Sequence, residues 1–141
     1  MALFQLIYTS TASAKPSDAT LTEMLQGSRR RNRERGITGL ILYHEHQFLQ
    51  ILEGEQSVVE SLFEKIAGDP RHLMPTVIWR GAIESREFPD FAMAFRDLEA
   101  PPPVGLEGFS PVLVERIIEK GNAASRAHHF IRAFRRVTGI D

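Results

Sequence analysis

Two β-rich runs separated by a short polar break constrain the fold of this chain more than any other feature. Residues 36–43 and 47–54 flank a three-residue break of hairpin length, so the pattern predicts an antiparallel hairpin. Side chains on a strand alternate with period two, and Phe48, Gln50 and Leu52 therefore share one face. A glutamine buried there without partners would cost about 1–3 kcal/mol. The fold must therefore bring hydrogen-bond partners to Gln50.

The composition is that of an ordinary globular domain. The 141 residues are 43% hydrophobic and 25% charged, which suffices for one domain with a buried core. The net charge of −1 disfavours a nucleic-acid-binding protein. No cysteine is present, which excludes disulfides, thiol nucleophiles and thiolate metal sites. No apolar run approaches the ~20 residues of a membrane span, and no signal-peptide pattern occurs, so we expect a cytoplasmic protein without membrane association.

Tyr8 lies near the end of the first predicted strand, residues 3–10, on the face of Phe4 and Leu6. Apolar residues on both faces of this run predict a central strand that is covered on both sides. A core tyrosine with a satisfied hydroxyl and a tyrosine that serves a site both fit this position.

The first predicted helix carries a stripe that changes character along its length. The helix starts at a possible capping box, Thr20-x-x-Glu23, and ends at Gly36. Its inward stripe begins apolar, but the same spacing continues through polar side chains, at Ser28, Arg31 and Asn32. Either the helix extends past the sheet into solvent, or these side chains face a polar ligand.

The remaining pattern predicts a second helix over 57–67, from a second possible capping box at Ser57-x-x-Glu60, and strands at 76–83 and 91–95. The element order predicts an α+β fold, a ferredoxin-like five-stranded sheet with two helices on one face. Residues 1–98 would form this domain.

A stiff Pro101-Pro102-Pro103 break separates the domain from a linker and helical extension, residues 99–141. Two C-terminal helices are predicted there, over 111–120 and 123–137. They would cover the second face of the sheet or pair with a second subunit.

Several side chains can converge between the two domain helices in this fold. They are the polar Tyr8, Ser28, Arg31, Asn32 and Gln50 and, on the fifth strand, Met93. Amide and hydroxyl groups in such a place suit a planar heterocycle with alternating donors and acceptors. No Ser/His/Asp arrangement with motif support, paired carboxylates or glycine-rich phosphate loop competes with this interpretation.

These residues closely resemble the BLUF domain, the blue-light sensor that uses flavin, over roughly residues 1–98. The matching segments, in order, are Tyr8-Thr9-Ser10, Asn32, Gly36-Ile37-Thr38-Gly39-Leu40, Phe48-x-Gln50-x-Leu52-Glu53-Gly54, Asp69-x-Arg71-His72 and Phe88-Pro89-Asp90 with Met93. The resemblance implies a ferredoxin-like sheet with the flavin ring between the two helices.

The resemblance also implies roles for individual residues. Tyr8 would give an electron and a proton to the excited flavin, and Gln50 would be the hydrogen-bond switch between Tyr8 and the flavin. Asn32 would bind the O4 and N3 edge of the ring. Further contacts to the ring, the ribityl chain or the phosphates would come from Ser28, Arg31, Phe48, Lys65, Ile66, Asp69, Arg71 and His72. The expected cofactor is FAD, with FMN or riboflavin as alternatives, and no metal is expected.

The implied mechanism is a light-driven rearrangement without turnover, so no enzymatic activity is expected. Many family members carry tryptophan two residues before the Met93 position, where this chain has Phe91. Phenylalanine is a poor electron donor and has no N–H group. Because Trp79 is on another strand, we predict Tyr8 as the sole efficient nearby donor, with Met93 and the fifth strand carrying the signal onward.

The output would reach an unknown protein in trans, or act through a homo-oligomer, because no effector domain follows residue 98. The stripe around Phe130 and Phe134 would be a partner surface or would pack on the sheet. Two other classes stay open: a cofactor-free interaction module in which Gln50 and Asn32 satisfy each other, and a small phosphate-ester or acyl-phosphate hydrolase on the same fold.

Overall fold

The computed structural model describes residues 3–13, 18–44, 46–88, 94–97, 129–131 and 133. Within these ranges the elements follow in the order β1 (Leu3–Ala12), α1 (Asp18–Arg35), β2 (Thr38–His44), β3 (Gln47–Glu55), α2 (Gln56–Ala67), β4 (His72–Ile83) and β5 (Ala94–Asp97). No helix among these residues is long and apolar enough to cross a lipid bilayer.

The strands form one sheet in the order β4-β1-β3-β2-β5. The first four are mutually antiparallel, and β5 pairs with β2 in parallel. This is the expected α+β architecture, with β1 and β3 at the centre. The described part of the fifth strand is Ala94–Asp97, and the first residues of the predicted strand, with Phe91 and Met93, lie outside the described residues.

The predicted hairpin is the β2–β3 pair. The last paired residues are His44 and Gln47, so two residues make the connection. His46 adopts a left-handed backbone (φ 68°), a conformation that tight hairpin turns require and that histidine tolerates better than most residues. Its backbone N–H donates to the Tyr43 hydroxyl at 3.2 Å, which fixes the turn on the preceding strand.

The sheet is covered on both faces, which confirms the prediction that β1 is a central strand. On one face α2 packs on a cluster made of Phe4, Leu6, Tyr8, Ile37, Leu52 and Val59. On the other face lies a second cluster, made of Ile7, Leu40, Leu42, Leu49, Ile51, Phe88 and Ile131. Successive residues of β1 and β3 enter opposite clusters, as the period of a strand requires.

Part of the C-terminal extension covers the second cluster. Residues 129–131 and 133 are helical, Ile131 is fully buried there, and Phe130 packs beside it. This turn therefore packs on the sheet, which is one of the two placements that the sequence left open. The other predicted C-terminal helix, over 111–120, and Phe134 lie outside the described residues.

Both predicted helix starts are wrong. Helix α1 begins at Asp18, so Thr20 lies inside it and cannot be its N-cap. Helix α2 begins at Gln56 with Glu55 as the N-cap residue and without a side-chain cap. The Ser57 hydroxyl instead donates to Glu55 Oε1 at 2.6 Å, because the strand runs directly into the helix with no residue between them.

Strand β4 forms one edge of the sheet and is irregular. Its register with β1 shifts at two points, one beside Tyr8 and one between Thr9 and Thr11. Met74 has a left-handed backbone (φ 51°) in the second irregular stretch, next to Pro75, and its side chain is 83% exposed. The ladder between β1 and β4 is therefore less regular than the ladders between the central strands.

Candidate functional site

The partner required by Gln50 is Tyr8. The two residues are directly opposite each other in the β1–β3 register and share one face of the sheet. Tyr8 is fully buried and Gln50 is 6% exposed. The Tyr8 hydroxyl donates a hydrogen bond to Gln50 Oε1. A directly opposed antiparallel pair holds both side chains close together, so the contact follows from the strand register itself.

Tyr8 lies in an aromatic environment that keeps its phenol neutral. The Phe63 ring meets it edge-on at 5.2 Å between centroids, and the His72 ring does so at 6.2 Å. Burial raises the pKa of Tyr8 far above its usual range, and the negative charge of Asp69 raises it further. The Tyr8 phenol therefore stays protonated, and able to donate to Gln50, at a pH at which an exposed tyrosine would already ionise.

Helix α1 contributes Asn32, which is 2% exposed. Its backbone oxygen accepts from the Ile37 N–H at 2.8 Å, so the residues that follow α1 are hydrogen-bonded back to the last turn of the helix. The predicted inward stripe is wrong at Arg31, which is exposed, whereas Arg29 is buried and Ser28 is half-buried. The role of Ser28 and Arg31 toward a cofactor stays a prediction.

A second polar group surrounds the start of β4. The Arg71 side chain contacts both carboxylate oxygens of Asp69, with Nε 3.0 Å from each, and its backbone N–H donates to Asp69 Oδ1 at 2.9 Å. This bidentate contact lowers the pKa of the Asp69 carboxyl to about 2. A phosphate at Arg71 would therefore compete with Asp69 for the same guanidinium.

His72 is the first residue of β4, which begins four residues before the strand predicted over 76–83. Its Nδ1 is 2.8 Å from the Ser10 hydroxyl, and its ring lies 5.1 Å from that of Phe48. Burial lowers the pKa of His72, which favours the neutral imidazole. Ser10 was missed as a site residue, although its position two residues after Tyr8 places it on the same face.

An open groove of about 350 Å³ lies where α1 ends and α2 begins, lined by Arg35, Ser57, Val58, Ser61 and Lys65. Lys65 is the only member of the predicted site set that lines it. Ile66, the neighbouring predicted residue, packs against the apolar cluster that contains Tyr8. Of the other predicted residues, Tyr8, Phe48, Gln50 and His72 come together on one face of the sheet, and Met93 lies outside the described residues.

The candidate site thus combines buried polar groups on the sheet, an aromatic lining and a neutral tyrosine that is hydrogen-bonded to a glutamine. The family described as "Sensors of blue-light using FAD", or BLUF, matches residues 3–94. The match covers well over half of the chain, and the chain therefore belongs to the BLUF family. A BLUF domain is a flavin-binding sensor module and not an enzyme.

Known relatives and solved structures agree with this assignment. The chain is 35% identical over 94 residues to the photoactivated adenylate cyclase subunit beta of Euglena longa, covering 64% of this chain and 11% of the relative. It thus spans about a tenth of the length of that protein.

Two solved structures share the fold of this chain. BlrP1 from Klebsiella pneumoniae, solved with FMN and cyclic diGMP, has a TM-score of 0.76 at 29% identity, over 94% of this chain and 34% of that one. BlrB, described as a BLUF protein in its dark state, has a TM-score of 0.69 at 25% identity, over 96% of this chain and 97% of that one.

Proposed function

We propose that this chain is a blue-light photoreceptor in which light rearranges the hydrogen bond between Tyr8 and Gln50. The observation that carries the proposal is the buried Tyr8–Gln50 contact on the sheet face that α2 covers. A hydroxyl and a carboxamide in contact at the centre of a sheet can exchange donor and acceptor roles without movement of the backbone.

The chemistry of the buried groups fits a flavin. Asn32 and Gln50 carry carboxamides, which complement the alternating donors and acceptors of a pyrimidine edge, and both are almost fully buried. A bound flavin would supply absorption of blue light and an excited state that accepts an electron. FAD is the first choice, and FMN and riboflavin are the alternatives. Besides Asn32 and Gln50, the residues that would hold it are Ser28, Arg31, Phe48, Lys65, Ile66, Asp69, Arg71 and His72.

Tyr8 would act as the donor of an electron and then of its phenolic proton. The phenol is neutral in the dark because burial raises its pKa, and oxidation makes a phenol strongly acidic. Loss of the proton removes the O–H group that donates to Gln50 Oε1, and the carboxamide would then rotate or tautomerise. When Tyr8 regains its electron and proton, Gln50 retains the new arrangement until it relaxes thermally.

The output would act on a downstream protein in trans or through a homo-oligomer. The photoactivated adenylate cyclase of Euglena longa is named for an activity that light controls, and it is a much longer protein than this chain. In the present chain, β5 and the C-terminal helical residues would transmit the change. Met93 would contribute beside β5, and a cytoplasmic location suits such a partner.

The test is the absorption spectrum of purified protein before and after blue light, for the wild type, Gln50→Leu and Gln47→Leu. Gln47 lies on the same strand but is exposed, and it bonds Thr11 Oγ1 at 3.1 Å. We expect a flavin band that shifts to the red and slowly returns in the wild type and in Gln47→Leu, with no shift in Gln50→Leu. A colourless protein that takes up no added flavin would contradict the proposal and favour a cofactor-free interaction module.

A further inference from the structure

A buried polar cluster lies on the sheet face opposite Tyr8 and Gln50. At its centre is the carboxylate of Glu53, three residues after Gln50 on β3 and fully buried. An odd separation on a regular strand places the two side chains on opposite faces. We name the cluster the Glu53 junction; it consists of the side chains of Gln5, Thr38, Glu53 and Arg86 and the backbone N–H groups of Glu87 and Phe88.

Four donors converge on the Glu53 carboxylate. Oε1 accepts from Thr38 Oγ1 at 3.2 Å and from the Phe88 N–H at 2.9 Å. Oε2 accepts from Gln5 Nε2 at 3.1 Å and from the Glu87 N–H at 2.8 Å. An ionised carboxylate has about four acceptor positions, and all of them are used.

This arrangement fits the ionised form of Glu53. Burial raises the pKa of the carboxyl, and hydrogen bonds from the two backbone N–H groups and from Gln5 and Thr38 counteract the rise. A protonated carboxyl would direct its own O–H at one of the four donors. The four hydrogen bonds therefore stabilise the ionised carboxylate. Two of them come from backbone N–H groups and so fix the backbone of residues 87 and 88 next to Glu53.

Arg86 extends the junction to the end of α1. Its Nη1 donates to Thr38 Oγ1 at 2.9 Å and to the backbone oxygen of Glu53 at 3.1 Å. Its Nη2 donates to the Gly36 oxygen, directly after α1, at 2.7 Å. Because the Thr38 hydroxyl accepts from Arg86, its own hydrogen is available to the carboxylate, and the positive charge supports the negative one through that hydroxyl.

The junction connects the elements that carry Gln50 and Asn32 to the segment that leads to β5. Strand β3 holds Gln50 on one face and Glu53 on the other, and the end of α1 is bound through Gly36. We propose that Glu53 is a positioning residue that passes a reorientation at Gln50 to residues 86–88 and so toward β5. The inference rests on the photoreceptor function proposed above and deepens it by naming the connection to the output.

The test is amide hydrogen exchange at Glu87 and Phe88, in the dark and under continuous blue light, on the flavin-loaded full chain. In the wild type we expect a several-fold light-dependent change in exchange at both amides. In Glu53→Gln, an NH₂ group replaces one acceptor oxygen, so exchange should be fast and equal in dark and light, while the red shift of the flavin persists. Ile51→Val, on the same strand and the same face, should keep the light-dependent change.

A wild-type protein that shows the red shift but no light-dependent exchange at these two amides overturns the proposal without any variant. So does a Glu53→Gln protein with the full wild-type difference. If Glu53→Gln does not fold, Thr38→Val removes one donor and the acceptor of Arg86 at nearly constant volume, and an undiminished difference there overturns the proposal as well. Absence of the red shift in the wild type would instead contradict the photoreceptor function, and the junction proposal would fall with it.

Discussion

Tyr8 and Gln50 are cross-strand partners at the centre of the sheet, and the Tyr8 hydroxyl donates to the Gln50 carbonyl oxygen. Tyr8 is buried beneath α2 with rings of Phe63 and His72 against it, so its hydroxyl has few other places to direct its hydrogen. The strand register thus brings the two side chains into direct contact on one face of the sheet.

Tyr8→Phe should retain the flavin and lose the light-induced red shift, because phenylalanine donates neither an electron nor a proton. The change also removes one buried hydrogen bond, that from the Tyr8 hydroxyl to Gln50, which should lower the free energy of unfolding by about 0.5–1.5 kcal/mol. Absorption difference spectra and urea unfolding of the loaded protein measure the two effects.

Two aromatic controls accompany this variant. Tyr43 is the other tyrosine of the chain, and Tyr43→Phe should keep the red shift. Trp79 packs beside the cluster on the opposite face of the sheet from Tyr8, and Trp79→Phe should keep it too. A normal photocycle in Tyr8→Phe would show that Tyr8 is not the donor, and loss of the photocycle in Trp79→Phe would contradict Tyr8 as the sole donor.

Ile131→Ala should destabilise the domain, because Ile131 is fully buried in the cluster with Ile7 and Leu40. Truncation of a buried isoleucine to alanine costs about 2–5 kcal/mol. The exposed neighbour His129 provides the control, and His129→Ala should change the free energy of unfolding by no more than about 0.5 kcal/mol. Equal unfolding midpoints in urea for the two variants would mean that this turn does not cover the sheet in solution.

Asp69→Asn should cost stability at neutral pH and nothing at low pH. Hydrogen bonding from Arg71 lowers the pKa of Asp69 in the folded protein to about 2, below its usual 3.8. A lowered pKa contributes stability above pH 4, and this contribution is lost as the pH falls from about 4 to 2. Because the Arg71 side chain is 57% exposed, solvent screening limits the effect to about 1 kcal/mol or less.

The measurement is the difference in free energy of unfolding between wild type and Asp69→Asn in a pH series. The difference should shrink across this window and vanish near pH 2. A difference that stays constant down to pH 2 would assign the role of Asp69 to packing or to its hydrogen bonds as an amide, rather than to its charge.

The architecture of the sheet is largely readable from the sequence, because strand alternation is a local property. The runs around Tyr8 and Gln50 each show a period of two, and the short break between β2 and β3 fixes the hairpin register. The separate pairing of β1 with β3 brings Tyr8 opposite Gln50, and Tyr8 supplies a hydrogen-bond partner of the kind that the buried Gln50 needed.

The features that sequence misjudged depend on where other elements lie. Arg31 and Asn32 are adjacent on α1 and point about 100° apart, so only the docking of the helix decides which one is buried. Ser57 matched a capping motif, yet β3 continues into α2 and leaves no turn in which to use it. The hydrogen bonds of Glu53 could not be predicted from the sequence for the same reason, because they include backbone amides more than thirty residues away.

The irregular edge at β4 has a consequence for assembly. An incoming polypeptide that lengthened the sheet beside β4 would need an unbroken row of backbone partners, and it would instead meet two register shifts, the left-handed Met74 and the missing donor of Pro75. Pairing would stop after a few residues. This edge is therefore a poor template for cross-β stacking, even though Leu73 and Met74 expose apolar surface along it.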